Sequence, residues 1–229
     1  MRLRRCHRGG EDAPVPGASA NPPESPTLFR PRRPIVLGIA GGIAAGKSAV
    51  AAAFAAHGLV HVDADSLARE VTARKDIVAA IAHDLGAEMV AADGTLDRQA
   101  VASRVFADAT ARARLEALTH PPVRQAILDA IAAAKARGDS VLLDVPLLLE
   151  RGLVDQCDRV VFVHASEATR RTRAASRGWA EGELERRERA QASLEEKRAR
   201  ADFTVDNDGS IAAMRQQVAA LLVGLAAGS

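Results

Sequence analysis

The feature that most constrains the fold is a glycine-rich segment between a short apolar run and an alanine-rich one. This segment, Gly41-Gly42-Ile43-Ala44-Ala45-Gly46-Lys47-Ser48, satisfies the pattern G-x-x-x-x-G-K-[ST]. The apolar run before it, residues 35–40, is typical of a central strand in a parallel sheet that is covered on both faces. Residues 47–57 have the composition of a helix that ends at Gly58. The order of strand, loop and helix indicates an α/β fold.

The chemistry of such a loop follows from its backbone. Its N–H groups curl around phosphates, and the helix N-terminus adds the positive end of its dipole. Lys47 is then placed to reach the β- and γ-phosphates, and the Ser48 hydroxyl can bind Mg²⁺. The alternative, a glycine-rich turn with a solvated lysine, lacks a reason for this strand-to-helix position. We therefore expect ATP and Mg²⁺ as ligands, with contacts from Gly42, Ile43, Ala44, Ala45, Gly46, Lys47, Ser48 and Ala49.

The rest of the chain predicts a P-loop NTPase-type parallel sheet flanked by helices. Further strands are expected over 59–62, 140–145, 159–164 and 203–205, and Ser166 is a plausible N-cap. Residues 66–138 carry almost only helical signals, with turns expected at Asp93-Gly94 and His120-Pro121-Pro122. We expect one domain over 34–229, with its core at about 34–65 and 139–229, a helical insertion at about 66–138 and a helical lid at about 174–200. One charged helix is expected over 180–199 and a closing helix near Ser210.

The first 33 residues differ from the remainder in composition. They contain seven arginines against three acidic residues, six of the ten prolines, and no hydrophobic period. We expect a disordered Arg/Pro-rich extension, with a basic tail that binds an anionic partner as the alternative. The remaining residues hold 24 basic and 26 acidic side chains, so the basic surface of a nucleic-acid-binding domain is missing.

Membrane and secreted proteins are disfavoured by the same composition. The longest apolar stretches, residues 34–46 and 218–228, are shorter than the roughly 18 residues of a membrane span. Two cysteines, Cys6 and Cys157, build neither a disulfide framework nor a C-x-x-C metal site. We expect a cytoplasmic protein without nucleic-acid or membrane partners, either a monomer or a weak homo-oligomer.

Acidic residues follow two of the predicted strands. Asp63-Ala64-Asp65 ends the second strand, at the edge of a parallel sheet where ligands bind. If the backbone stays extended there, the two side chains share a face and can divide metal binding and proton removal between them. The alternative is that Asp65 or Ser66 caps the next helix. Asp144 resembles the Mg²⁺-binding carboxylate of a Walker B strand, but a turn-forming role before Pro146 remains equally open.

Arginine is concentrated between residues 170 and 200, where nine arginines alternate with six glutamates. Most of these arginines are expected on a solvated helix face, paired with glutamates one turn away. Phosphoryl transfer nevertheless requires positive charge over the γ-phosphate, which small kinases supply from a mobile lid. The best candidates are Arg173 and Arg177, which lie near Gly178.

Several motifs in series resemble those of the dephospho-CoA kinase family. They are the phosphate-binding loop, Asp63-Ala64-Asp65, Leu118-Thr119-His120-Pro121, Val145-Pro146-Leu147-Leu148-Leu149-Glu150, Gln191, Lys197, Ala201-Asp202 and Asp206-Asn207-Asp208-Gly209. The resemblance runs from about residue 35 to the C-terminus. It implies that residues 34–229 form a kinase domain and that the helical insertion at about 66–138 binds the acceptor. It implies transfer of the ATP γ-phosphoryl group to the ribose 3′-hydroxyl of dephospho-CoA, the final step of coenzyme A biosynthesis, with dephospho-CoA and ATP as partners.

The resemblance also implies roles for individual residues. Asp65 would be the catalytic base, with Lys47 and Arg177 as the other catalytic residues. Substrate binding would fall to Asp63, Arg98 and His120, and metal binding to Ser48 and Asp63. Arg173 and Asn207 would contact the nucleotide. The chain departs from the family at Ala44-Ala45, where a Gly-Ser pair is often seen.

Two other functions remain as alternatives. Another small-molecule kinase of the same fold, such as a shikimate or nucleoside monophosphate kinase, could also carry D-x-D after its second strand. The His120-Pro121 and Val145-Pro146-Leu147 motifs favour coenzyme A synthesis over these enzymes. A non-catalytic nucleotide-dependent switch is disfavoured because the sequence has no [NT]-K-x-D guanine-binding motif and because paired aspartates indicate chemistry.

Overall fold

A five-stranded parallel sheet forms the centre of the molecule. The computed structural model describes residues 27–146, 148 and 152–227. The strands lie in the order β2-β3-β1-β4-β5, and every pair is parallel. They are β1 (Val36–Gly41), β2 (Val60–Asp63), β3 (Val141–Asp144), β4 (Arg159–His164) and β5 (Phe203–Asp206). The predicted parallel sheet flanked by helices is confirmed.

Nine α-helices surround this sheet within the described residues. They are α1 (Lys47–Ala56), α2 (Ala64–Thr72), α3 (Lys75–Leu85), α4 (Arg98–Ala107), α5 (Ala109–Ala136), α6 (Glu167–Ser176), α7 (Glu183–Glu188), α8 (Leu194–Ala199) and α9 (Ile211–Ala227). Ser166 caps α6 through a hydrogen bond from the Thr169 backbone N–H, as the sequence predicted. No helix in the described ranges is both long enough and apolar enough to cross a membrane.

Both faces of the sheet are buried, and successive residues of β3 show how. Leu142 packs with Phe54 of α1 and Met214 of α9, whereas Val141 and Leu143 pack with residues of α5 on the opposite face. Side chains alternate between the faces of a strand, so a continuous apolar run serves two cores at once. This double burial explains why the strands were recognisable as apolar runs.

The chain between β2 and β3 folds as the helices α2 to α5. A separate small core holds α3, α4 and α5 together, with Ile81, Leu85, Met89 and Ala111 buried at its centre. In contrast, α4 has no buried residue. The insertion therefore rests mainly on α5, which packs against α2, α3 and α4.

The turn expected at His120-Pro121-Pro122 is wrong. All three residues lie inside α5, which continues for 28 residues with both prolines in its interior. A proline inside a helix removes a backbone hydrogen bond and usually kinks or ends it. Here the packing of α5 against three neighbouring helices outweighs that local cost.

The single charged helix expected over residues 180–199 is also wrong, because the structure has two short helices there. Gly182 precedes α7 with φ near +78°. Ser193 starts α8 with a capping box, in which the Glu196 backbone donates to Ser193 Oγ at 3.1 Å and the Ser193 backbone donates to Glu196 Oε2 at 2.9 Å. These caps fix a new helix start in the middle of the charged segment.

The expected N-terminal extension lies mostly outside the described residues. Residues 27–33 are described and run along the domain without regular secondary structure. The backbone N–H of Phe29 donates to the His57 carbonyl at 2.8 Å, and the Phe29 side chain is 7% exposed within the α1 and α9 core. This short segment thus contributes a side chain to the core upstream of the first strand.

Candidate active site

The glycine-rich segment forms a loop between the last residue of β1 and the first residue of α1. Gly46 occupies the N-cap position of α1 with φ near +87°, a left-handed conformation that favours glycine. Ala44 has φ near +58° and is the one residue other than glycine with positive φ among those described. Glycine is often found at this position in the family that the sequence resembles. The Ala44 side chain makes the left-handed backbone less favourable, at a cost of about 1 kcal/mol.

Two side chains from distant parts of the chain brace this loop. The Ala45 carbonyl accepts hydrogen bonds from Arg173 Nη1 at 2.9 Å and from Asn207 Nδ2 at 2.8 Å. Arg173 Nη2 also donates to the Asn207 carbonyl at 2.7 Å. A Cβ atom on Gly46 would collide with Asn207 Nδ2 and lie 3.1 Å from Arg173 Nη1. Both residues predicted to contact the nucleotide therefore lie beside the loop and hold its backbone.

Two carboxylates face each other at the carboxyl ends of neighbouring strands. Asp63 of β2 and Asp144 of β3 are partners in the strand register. Burial raises the pKa of Asp144, whereas the positive charges of Lys47 and His61 oppose that rise. The Asp144 side chain therefore lies in the electrostatic field of the loop lysine, which favours the functional interpretation of this residue over a turn-forming one.

His61 is a neighbour of this carboxylate that the sequence analysis missed. Its Nε2 atom lies 3.7 Å from Asp144 Oδ2, and its side chain is 33% exposed. The signal was available, because residues two apart on a strand share a face and His61 precedes Asp63 by two. The apolar residues on either side of His61 indicated only that the segment is a strand.

The backbone after Asp63 does not stay extended, so the expectation that Asp63 and Asp65 share a strand face is wrong. Helix α2 begins at Ala64, and Asp63 Oδ1 accepts a hydrogen bond from the Asp65 backbone N–H at 2.9 Å. Asp63 is thus the N-cap, rather than Asp65 or Ser66, because its side chain satisfies a helix donor that would otherwise lack a partner. Asp65 is exposed in the first turn of α2.

A cavity of about 700 Å³ opens beside Asp65, between α2, α5 and the end of β3. Most of the residues that line it are apolar, and few are charged or polar. His120 lies in the wall of this cavity, and its role in acceptor binding stays a prediction. The lining consists of Ala64, Asp65, Ala68, Thr72, Thr119, His120, Pro121, Val123, Arg124, Ile127, Val145, Pro146 and Leu153.

Arg124 is a second residue that the sequence analysis missed. It follows His120 by four positions on α5, and both side chains line the same cavity. Residues four apart on a helix share a face, so His120 would have indicated Arg124 had a continuous helix been predicted. The turn expected at the two prolines concealed this relation.

Two predicted arginines are not brought to these walls. Arg98 is exposed at the first position of α4 and is absent from the lining of the 700 Å³ cavity. Arg177 is exposed at the C-cap of α6, and no hydrogen bond or ion pair of its side chain occurs within the described part of the chain.

A second cavity, of about 400 Å³, borders the other side of the phosphate loop. Lys197 is 5% exposed there, and its Nζ atom donates to Gln191 Oε1 at 2.6 Å. Both residues belong to the motifs that carried the family resemblance. The lining consists of Gly42, Ile43, Glu185, Glu188, Arg189, Gln191, Ala192, Ser193, Leu194 and Lys197.

The oxygen donors at the sheet edge fit a magnesium ion. Ser48 is the second residue of α1, and Asp63 and Asp144 are the last residues of adjacent strands. Magnesium is bound in kinases by one or two carboxylates together with substrate phosphates and water, so this donor set has the right chemistry. Across the described residues, no cluster of three or more His, Cys, Asp or Glu side chains has the arrangement of a metal site.

Comparison with known proteins adds an independent result. The family model for dephospho-CoA kinase matches residues 35–213. The dephospho-CoA kinase of Anaeromyxobacter dehalogenans is 45% identical over 196 residues, which cover 84% of this chain and 93% of that protein. The match begins at the strand before the phosphate loop, where the sequence resemblance also begins.

Solved structures show the same architecture. The Thermus thermophilus protein TT1252 is 36% identical with a TM-score of 0.71, over 85% of this chain and 99% of that one. A dephospho-CoA kinase from Campylobacter jejuni gives a TM-score of 0.67 at 22% identity, over 84% and 98% of the two chains. At that identity the second likeness supports the fold alone.

Proposed function

The chain belongs to the dephospho-CoA kinase family and acts as a phosphotransferase on dephospho-CoA, and we propose how its residues divide that reaction. ATP donates its γ-phosphoryl group, and the ribose 3′-hydroxyl of dephospho-CoA accepts it, giving CoA and ADP. The observation that carries this assignment is the position of Asp65. It follows the last residue of β2 by two positions, at the edge of the sheet where the phosphate loop lies, and it also lines the cavity of about 700 Å³.

The phosphate loop binds ATP through backbone groups that are already in position. The brace from Arg173 and Asn207 holds the Ala45 carbonyl, so the loop N–H groups have little freedom left to lose when phosphate binds. Lys47, at the start of α1, reaches the β- and γ-phosphates and stabilises the negative charge that the transfer redistributes.

Dephospho-CoA occupies the cavity of about 700 Å³. Its pantetheine arm is suited to the apolar walls, and its diphosphate to the side chains of Arg124 and His120 on the same face of α5. Asp65 removes the proton from the ribose hydroxyl, whose oxygen then forms a bond to the γ-phosphorus. The bond between that phosphorus and the β,γ-bridging oxygen breaks, and ADP leaves with the electron pair.

Ser48, Asp63 and Asp144 are the residues that would hold Mg²⁺. When bound, the ion neutralises part of the charge on the transferred phosphates. Arg98 and Arg177 remain proposed contacts for the acceptor and the phosphates respectively, through closure of the helices that carry them. A cytoplasmic location and a monomeric or weakly associating state are proposals of the same kind.

The decisive experiment measures ADP release with a panel of acceptors. Dephospho-CoA should stimulate release, whereas shikimate, pantothenate and nucleoside monophosphates should leave it at the background rate. Phosphorus NMR of the product should show a new phosphomonoester on the ribose 3′-position. No stimulation by dephospho-CoA would overturn the assignment, and stimulation by shikimate or a nucleoside monophosphate would favour the rival kinases.

A further inference from the structure

A buried arginine next to the phosphate loop is paired with a glutamate of the lid. Arg170 on α6 is only 5% exposed, and its Nε atom donates to the Ala165 carbonyl at 3.2 Å. Its Nη1 atom forms an ion pair with Glu188 at the end of α7. A buried guanidinium that loses its anion is strongly destabilising, so this pair constrains where Glu188 can lie.

The same arginine packs against the phosphate loop. A Cβ atom on Gly42 would lie 3.3 Å from Arg170 Cδ and 3.7 Å from its Nε, so the arginine stem lies directly on the loop. Glu188 borders the cavity of about 400 Å³ together with Gly42 and Lys197. The pair therefore connects Gly42 of the loop to helix α7.

Helix α7 depends on such connections because it has only six residues. A helix of that length is not stable by itself and takes its position from tertiary contacts. Its carboxylates reach α6 twice, through Arg170–Glu188 and through Arg171–Glu185 at 2.9 Å. The two pairs differ in exposure, since the Arg170 side chain is 6% exposed and the Arg171 side chain 59%. An exposed pair contributes little, so the buried pair sets the position of α7.

We propose that Arg170 and Glu188 are positioning residues for phosphoryl transfer, which hold α7 and its cavity wall against Gly42 of the phosphate loop. This inference rests on the proposed function, because it assigns the lid of that same reaction. The pair has a second effect, since Arg170 neutralises a carboxylate that would otherwise repel the phosphates of ATP across the cavity. Neither side chain needs to touch the substrate for these effects.

Substitution of Glu188→Gln is the first test, with Glu167→Gln as the control, because Glu167 forms an exposed ion pair with Arg171 on α6 and lines neither cavity. Loss of the buried pair should lower kcat about tenfold through misplacement of the lid, with the KM for dephospho-CoA unchanged. The control should change kcat by less than about twofold, because it removes an exposed pair. Equal effects of the two substitutions, or a wild-type kcat in Glu188→Gln, would overturn the proposal.

Arg170→Met separates the positioning role from a loss of stability. It leaves the Glu188 carboxylate without its counterion near the loop, so the KM for ATP should rise about tenfold in addition to the fall in kcat. The double variant Arg170→Met/Glu188→Gln should restore the KM for ATP to that of Glu188→Gln. A double variant no better than Arg170→Met would contradict the electrostatic part of the proposal.

Trp179 gives a readout that does not depend on turnover. It is the only tryptophan in the chain, and its ring centre lies 4.3 Å from Arg187 Cζ on α7. Acrylamide should quench its fluorescence more efficiently in Glu188→Gln than in the wild type or Glu167→Gln, because α7 moves away from the tryptophan. Unchanged quenching would refute the positioning role even if kcat falls. A wild-type protein inactive on dephospho-CoA would instead refute the proposed function, and quenching would still test the pair.

Discussion

The two cavities differ in how their polar side chains are held. Three of the four buried polar or charged residues described, Arg170, Lys197 and Asn207, lie beside the phosphate loop, and each has a hydrogen-bond partner. In the wall of the 700 Å³ cavity, which we propose for the acceptor and call the acceptor cavity, Asp65 and Arg124 are exposed. One site is built into the core of the protein, and the other lies on the surface of an insertion.

This difference indicates when each site takes its final form. Donors that are fixed before the substrate arrives need no reorganisation during the reaction, which suits the charged γ-phosphate. Exposed side chains on helices with few buried residues can adjust around a large acceptor. We therefore expect substitutions on the nucleotide side to act through loop geometry and those on the acceptor side to act through single contacts.

The largest effect on turnover is expected from Asp65→Asn, on the acceptor side. An amide cannot take up the hydroxyl proton, so kcat should fall about 10²-fold or more while ATP affinity is retained. Steady-state kinetics and equilibrium nucleotide binding would measure the two quantities separately. Parallel losses in kcat and ATP affinity would show that Asp65 is a binding residue and that the contrast between the sites is drawn incorrectly.

A somewhat smaller effect, about 10²-fold on kcat/KM for ATP, is expected from Gly46→Ala. The new methyl group would collide with Asn207 and displace the brace of the loop. Gly94→Ala is the matched control, because Gly94 also has positive φ, near +81°, but no atom lies within 4 Å of the added Cβ. Similar losses of activity in both variants would mean that backbone strain, and not the brace, is responsible.

On the acceptor side, Arg124→Ala should raise the KM for dephospho-CoA about tenfold, as expected for loss of one charged contact. The KM for ATP should not change, because Arg124 lines the 700 Å³ cavity but not the 400 Å³ cavity beside the phosphate loop. Arg98→Ala provides the comparison, with an expected change of less than about threefold because Arg98 is outside that lining. A stronger effect of Arg98 would show that α4 closes over the acceptor and that the resting cavity is incomplete.

The smallest effect on activity is expected from Phe29→Ala, which should lower the free energy of unfolding by about 3 kcal/mol without changing kcat. Phe29 is buried in the core formed with α1 and α9, and its backbone N–H donates to His57 at the end of α1 that is remote from the phosphate loop. Denaturant unfolding of the variant, beside a chain that lacks residues 1–26, would test this. The truncated chain should retain both its stability and its activity, and a loss of either would assign the extension a role.

Much of the nucleotide side could be predicted because its signals are contiguous in sequence. The strand, the loop and the first helix follow one another within residues 36–56, and their bounds agree with the expectation to within a residue. Sequence motifs also identified Arg173 and Asn207, but as nucleotide contacts. Their hydrogen bonds to the loop carbonyl join residues 128 and 162 positions apart, which no local pattern encodes.

The acceptor side was harder to predict because packing overrides local preference there. The two prolines indicated a turn, yet the helix passes through them, and with the turn the link between His120 and Arg124 was lost. The helix start at Ala64 likewise changed the relation between Asp63 and Asp65. In the lid, by contrast, the sequence does contain local signals for two helices, namely Gly182 and the Ser193-x-x-Glu196 capping box. The continuous run of charged residues nevertheless led to the prediction of a single helix.

The brace on the phosphate loop also has a consequence for the order of folding. Asn207 emerges from the ribosome 162 residues after Ala45, with which it forms its hydrogen bond. Contacts between such distant residues form late, once the chain has closed the intervening loop. A nascent chain that has not yet reached Asn207 therefore contains every glycine of the phosphate loop but lacks one of the two side chains that hold the Ala45 carbonyl.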